Sequence, residues 1–210
     1  MRSGKGKNRA VKYGFVKAIA AALLLFLILS LLRGSEYLMI ALIAAAIHES
    51  GHLAAAKILS VPRDGGGAGL FGLSLKFDFS AVPYYKEFIV CISGAIFNIT
   101  ACLITVAAVK DAGDHATFFI FTNLSLALFN LLPVSPLDGS GVLRAVLSAF
   151  LNVKLAERIV TFVSAGLSLA FFVFCVYVQI KIGVNLSLMM ISVFLIHNAF
   201  KTVKGRTDYL

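Results

Sequence analysis

The residues best suited to metal chemistry stand together as His48-Glu49-Ser50-Gly51-His52. On a helix, positions i and i+4 share a face, so two imidazole nitrogens can reach one ion. Glu49, one position along, falls beside the open coordination position rather than on the ion, where a carboxylate can act as a base. The pentad lies in an almost wholly apolar run, from Ala41 to Ala56. A charged glutamate near the centre of a membrane helix costs about 3 kcal/mol, so ionisable groups kept there serve function.

A His-Glu-x-x-His pair needs a third protein ligand and leaves one position open for water. Asp64, Asp78, Asp111 and Asp114 sit in predicted connections, whereas Asp138 closes the stretch Asn130-Leu131-Leu132-Pro133-Val134-Ser135-Pro136-Leu137-Asp138-Gly139. Pro133 and Pro136 remove two backbone donors and break the helix before them. Irregular backbone at membrane depth survives only where protein or a water-filled cavity satisfies its polar groups. Asp138 fits two roles: an N-cap for the amphipathic stretch Val142–Phe150, or the missing ligand. The presence of His48 and His52 favours the ligand.

With both stretches in view, the sequence resembles the site-2 protease family of intramembrane zinc metalloproteases. Ser93-Gly94-Ala95-Ile96-Phe97-Asn98 is similar to a third family motif, small-Gly-Pro-x-x-Asn, with Ala95 where proline is usual. The resemblance runs from about residue 37 to residue 144. It implies one Zn(2+) per chain on His48, His52 and Asp138, with Glu49 as the catalytic base. It also implies that Asn98 and Asn130 hold the substrate backbone or shape the site. Transmembrane proteins would be the substrates, with regulatory membrane proteins as further partners. Where the family often reads Asp-Gly-Gly-Arg, this chain has Asp138-Gly139-Ser140-Gly141, which leaves Arg144 without a role. No PDZ-like insertion is present. The compact plan resembles the branch that includes the bacterial sporulation protease, and so a bacterial cell membrane. Members of that branch often carry a C-terminal CBS domain that is not seen in this sequence, and its sigma-factor substrate is not assigned.

Composition agrees with a bilayer location. The 210 residues are 60% hydrophobic and 14% charged, against about 45–50% and about 25% for soluble domains. The net charge of +9 does not indicate a nucleic-acid partner, because Lys and Arg gather at the ends of apolar runs. Six spans are expected: Ala18–Leu32, Tyr37–Leu59, Phe88–Val109, Ala116–Leu132, Ile159–Ile180 and Ile182–Phe200. The first follows a basic tail as a signal peptide would, but no small-x-small cleavage site follows it, so it reads as a retained helix. With both termini cytoplasmic, 16 of the 19 Lys and Arg lie on the inner side, as the positive-inside rule requires.

The expected fold class is therefore an all-α polytopic membrane protein, with a small β-strand or hairpin element between helices 2 and 3. Leu73–Ser80 alternates with period two, the mark of a half-buried strand, while Arg63–Gly69 reads as a flexible glycine loop. Such a strand could pair with an unwound substrate segment. Three units follow: a basic tail (1–17), one membrane-embedded metalloprotease domain (18–200) and a short tail (201–210). Cys91, Cys102 and Cys175 read as packing residues, His115 and His197 as structural or interfacial, and Asn123 as an interhelical hydrogen-bonding residue. The rival class is a membrane metal-ion transporter, but a single pentad provides one site rather than a relay across the membrane.

Overall fold

The computed structural model describes residues 35–69, 72–79, 82–109, 113–183 and 186–207. Its packing is inverted relative to a protein folded in water. Phe162 is 76% exposed and Leu103 65% exposed, whereas Asn98, Asn123 and Ser168 are fully buried. Outward-facing apolar side chains need lipid around them, and helices in lipid associate through small and polar residues.

Six helices are described: α1 (Ser35–Ile58), α2 (Tyr84–Ala108), α3 (Asp114–Asn130), α4 (Asp138–Phe150), α5 (Val153–Ile182) and α6 (Leu186–Thr207). Three segments, Glu36–Ile58, Tyr84–Ala108 and Val153–Ile182, are long and apolar enough to cross a membrane. At 17 residues, α3 reaches only about 25 Å, short of the roughly 30 Å hydrocarbon core. The apolar part of α6 is Leu188–Ala199. The six described helices are not the six expected spans: Ala18–Leu32 lies outside the described residues, and α4 adds a short helix. That helix begins at Asp138, four residues before the expected amphipathic stretch.

Each boundary near the site has a local cause. Glu36 in the first turn of α1 and Lys57 in its last complement the helix dipole. The helix closes in a Schellman-type turn, with Ser60 left-handed at φ 52° and the Val61 N–H donating to Ala56 O at 2.9 Å. Val61 then packs on Ala55, Ala56 and Val90, and Lys86 Nζ donates to Leu59 O at 2.8 Å. These contacts tie the end of the His-bearing helix to the start of α2. At the opposite end, His115 Nε2 and Glu36 Oε2 lie 2.6 Å apart and join α3 to α1.

Between α1 and α2, β1 (Arg63–Gly69) and β2 (Gly72–Phe77) pair antiparallel, with Gly67 opposite Ser74 and an irregularity between Arg63 and Gly66. The segment read as a flexible glycine loop is thus one strand of a hairpin. Phe77 and Phe79 pack against the Ala55/Val90 cluster.

Helices α1, α2 and α3 pack on one another, α4 lies against α2, and α5 pairs with α6, with α4 reaching α5. The α1–α2 crossing is made by glycines: a Cβ at Gly51 would meet Ser93 O, and one at Gly94 would meet both site imidazoles. Small residues at such crossings let backbones approach closely. The loop from Pro133 to Pro136 is satisfied by protein, as irregular backbone at membrane depth requires. The Ser135 N–H donates to Ser164 Oγ at 3.0 Å, and that hydroxyl donates to Pro133 O at 3.3 Å.

Candidate metal centre

His48 and His52 point from α1 toward the first residue of α4. His48 Nε2 lies 2.9 Å and His52 Nε2 3.1 Å from Asp138 Oδ2, and the two Nε2 atoms are 3.2 Å apart. Both histidines are buried. Asp138 does not cap its helix: the N-cap residue is Leu137, and no side-chain cap bond is made there. The carboxylate turns to the imidazoles instead.

The outer ring nitrogens fix what the inner ones can do. His52 Nδ1 lies 2.7 Å from Val90 O; a carbonyl oxygen only accepts, so Nδ1 carries the proton. His48 Nδ1 lies 2.7 Å from Asn98 Oδ1 and donates in the same way. With Nδ1 as the donor, each imidazole in its neutral form turns a lone pair inward, toward a carboxylate oxygen that also only accepts. Three acceptors at this spacing repel unless a proton or a metal cation sits among them. Tetrahedral zinc, with bonds of about 2.0–2.1 Å, places its ligand atoms about 3.3 Å apart, close to the separations found. Orientation of ligating histidines through their second nitrogen is the usual support for such a centre. The donor set, its spacing and its outer partners all fit zinc.

Glu49 contributes no atom to this cluster but interacts electrostatically with His52, His48 and Asp138. Asn98 has no exposed surface and stands behind His48. Asn130 donates to Leu126 O of its own helix at 3.0 Å. Sequence reasoning assigned nothing to Val90 O or Gly94, and left Arg144 without a role. The first cannot be read from a side chain. Gly94 was visible only as a small residue in a motif. Arg144 has a partner in space: its Nε donates to Glu87 Oε1 at 2.7 Å, which ties α4 to α2. All three cysteines are free.

The Glu87–Arg144 pair yields the first prediction. Its Glu87 side chain is 6% exposed and its Arg144 side chain 39%. Removing one partner of a buried pair costs about 3–5 kcal/mol, and the half-open arginine brings this to about 2–3 kcal/mol. Unfolding in detergent will show R144M destabilised by that amount, with E87Q/R144M recovering most of the loss.

Comparison with known proteins agrees with this geometry. The model of peptidase family M50 matches residues 107–176, a segment that holds Asn130, the proline loop and Asp138. The His48–His52 pentad lies outside that match and is an independent observation. Among curated proteins none matches the chain. Among solved structures, the chain is similar to the site-2 protease from Methanocaldococcus jannaschii, with 21% identity over 88% of this chain and 87% of that one, at a TM-score of 0.65. That likeness establishes the fold.

The multi-pass membrane fold shared with that structure surrounds a buried His-His-Asp cluster whose three donor atoms could hold one metal ion. The match to the peptidase family M50 model covers about a third of the chain, and the similar solved structure shares its fold.

Proposed function

We propose that His48, His52 and Asp138 hold one zinc ion per chain and that Glu49 is the catalytic base in hydrolysis of a peptide bond within a membrane-spanning substrate. The observation that carries this reading is the convergence of the three donor atoms, none more than 3.2 Å from another. Zinc at such a centre supplies Lewis acidity, which acidifies water and stabilises negative charge developing on a carbonyl oxygen.

The chain's own groups manage the protons and the geometry. Glu49 takes a proton from the attacking water and returns it to the leaving nitrogen as the C–N bond breaks. Val90 O and Asn98 Oδ1 hold the imidazoles in the tautomer that keeps Nε2 unprotonated. Asn130 shapes the approach to the proline loop. A substrate helix must unwind before it can react, because its carbonyls are occupied by intrahelical hydrogen bonds.

Both termini are assigned to the cytoplasm from the distribution of basic residues, within a six-span plan that includes Ala18–Leu32. The compact plan resembles the sporulation-protease branch. His48 then lies ten residues from the cytoplasmic end of α1 at Ile58, a depth of about 15 Å, so water enters most directly from that side.

The test uses purified protein and single-span substrates. Cleavage stops when a zinc chelator is added and returns when zinc is restored, and liposomes containing the protein pass no metal. Cleavage that persists through complete zinc removal, or zinc flux that H48A abolishes, overturns the assignment.

A further inference from the structure

We infer that Asn123 is a positioning residue for the metal centre, acting through Asn98 to set the tautomer of His48; this rests on the reading of His48 as a zinc ligand. Asn123 lies on α3 and touches neither His52 nor Asp138 through any hydrogen bond among the described residues. Its side chain is fully buried, as is that of Asn98. Asn98 Nδ2 donates to Ala44 O at 3.0 Å and to Asn123 Oδ1 at 2.7 Å. Asn123 Nδ2 donates to Phe119 O at 2.9 Å.

Two backbone carbonyls at the ends of this chain remove its ambiguity. Phe119 O can only accept, so the Asn123 atom facing it is nitrogen, and its oxygen must face Asn98. Ala44 O can only accept, so the Asn98 atom shared between Ala44 and Asn123 is nitrogen. Asn98 Oδ1 is left to face His48 Nδ1, which must therefore carry the proton. The imidazole lone pair then lies on Nε2, toward Asp138 and His52.

Each amide has one satisfied orientation, and a flip of either would place like groups together at fully buried positions. An unpaired buried amide costs about 1–3 kcal/mol. Asn123 supplies, beside Ala44 O, the second and shorter acceptor that keeps Asn98 from flipping, and so reinforces the preference of His48 for the metal-binding tautomer. Loss of such outer partners typically weakens metal binding about 10- to 100-fold.

The experiment measures zinc affinity by chelator competition in the detergent-solubilised full chain, together with thermal unfolding of the zinc-free protein. N123L, similar in size, and N123A, which adds no bulk, each lower zinc affinity about tenfold, the low end for loss of an outer partner, since Asn123 acts one bond beyond Asn98. N123D stays within a few-fold of wild type, because a neutral carboxyl still accepts from Asn98 and donates to Phe119 O. A merely structural role would lower the unfolding temperature in all three variants and leave zinc affinity level among those that fold. In the cadmium-substituted wild type, ¹⁵N-labelled histidine shows the metal coupled to His48 Nε2 with Nδ1 still protonated. The control H48A binds zinc far more weakly than any Asn123 variant. If H48A keeps its zinc, the ligand assignment falls and the relay with it. If H48A loses zinc while N123L or N123A binds as tightly as wild type, or if cadmium couples to Nδ1, the relay alone is overturned.

Discussion

Replacing Glu49 with glutamine lowers the rate of substrate cleavage by about 10²–10⁴-fold, with zinc still bound. The substitution preserves length and shape but removes the group able to accept a proton. Glutamine at 49 perturbs metal binding little, because Glu49 supplies no atom to the His48, His52 and Asp138 cluster. What it removes is a negative charge that interacts with all three of those residues and the base placed one residue along from His48. The measurement has two arms: single-turnover cleavage of a membrane substrate, and metal analysis of the same preparation. Activity within tenfold of wild type would assign the base elsewhere. Loss of zinc together with activity would make Glu49 a structural or ligating residue. Neither result is compatible with the proton transfers proposed above.

The centre was legible in sequence to the extent that its parts lie close along the chain. His48, Glu49 and His52 are joined by one turn of helix, so spacing alone predicts their common face. Asp138 is 90 residues from His48, and its sequence position allowed a helix cap as readily as a ligand. Only the packing of α4 against α2, with the Gly139 backbone close against Leu131 and Leu132, turns its carboxylate toward the imidazoles. Asn98 and Asn123 were each visible as polar residues in apolar spans. Their order in a relay depends on two backbone carbonyls from other turns of helix, and carbonyls carry no sequence signal. The hairpin was half visible for a related reason. Leu73–Ser80 has alternation to read, but β1 is mostly glycine, and its pairing uses backbone groups that every residue shares. The helix starts were missed for yet another cause. Lys154, Glu157 and Arg158 made the first turns of α5 look like a connection, although Asn152 accepts a hydrogen bond from the Leu155 N–H as a helix cap.

Replacing Gly94 with alanine weakens zinc binding in an otherwise folded protein. A methyl group at this position would press on His52 Nε2 and lie 2.8 Å from both Cε1 and Nε2 of His48. Those nitrogens are the proposed ligand atoms, held by Val90 O and Asn98 Oδ1 on their far sides, so neither ring can retreat without breaking a buried hydrogen bond. Overpacking of this kind costs about 1–3 kcal/mol, which becomes a loss of roughly 5- to 150-fold in zinc affinity if the rings yield. Helix propensity works in the opposite direction: alanine is better than glycine inside a helix by about 1 kcal/mol. The zinc-free variant is therefore expected to unfold at a temperature close to wild type, while chelator competition finds its metal site impaired and cleavage falls with zinc occupancy. Gly166 on α5 provides the control, since a Cβ there meets nothing within 4 Å, and G166A should keep both zinc and activity. If G94A binds zinc as tightly as G166A, the imidazoles are not held against α2 as described, and the crossing of α1 and α2 at Gly51 and Gly94 cannot be what fixes the metal centre.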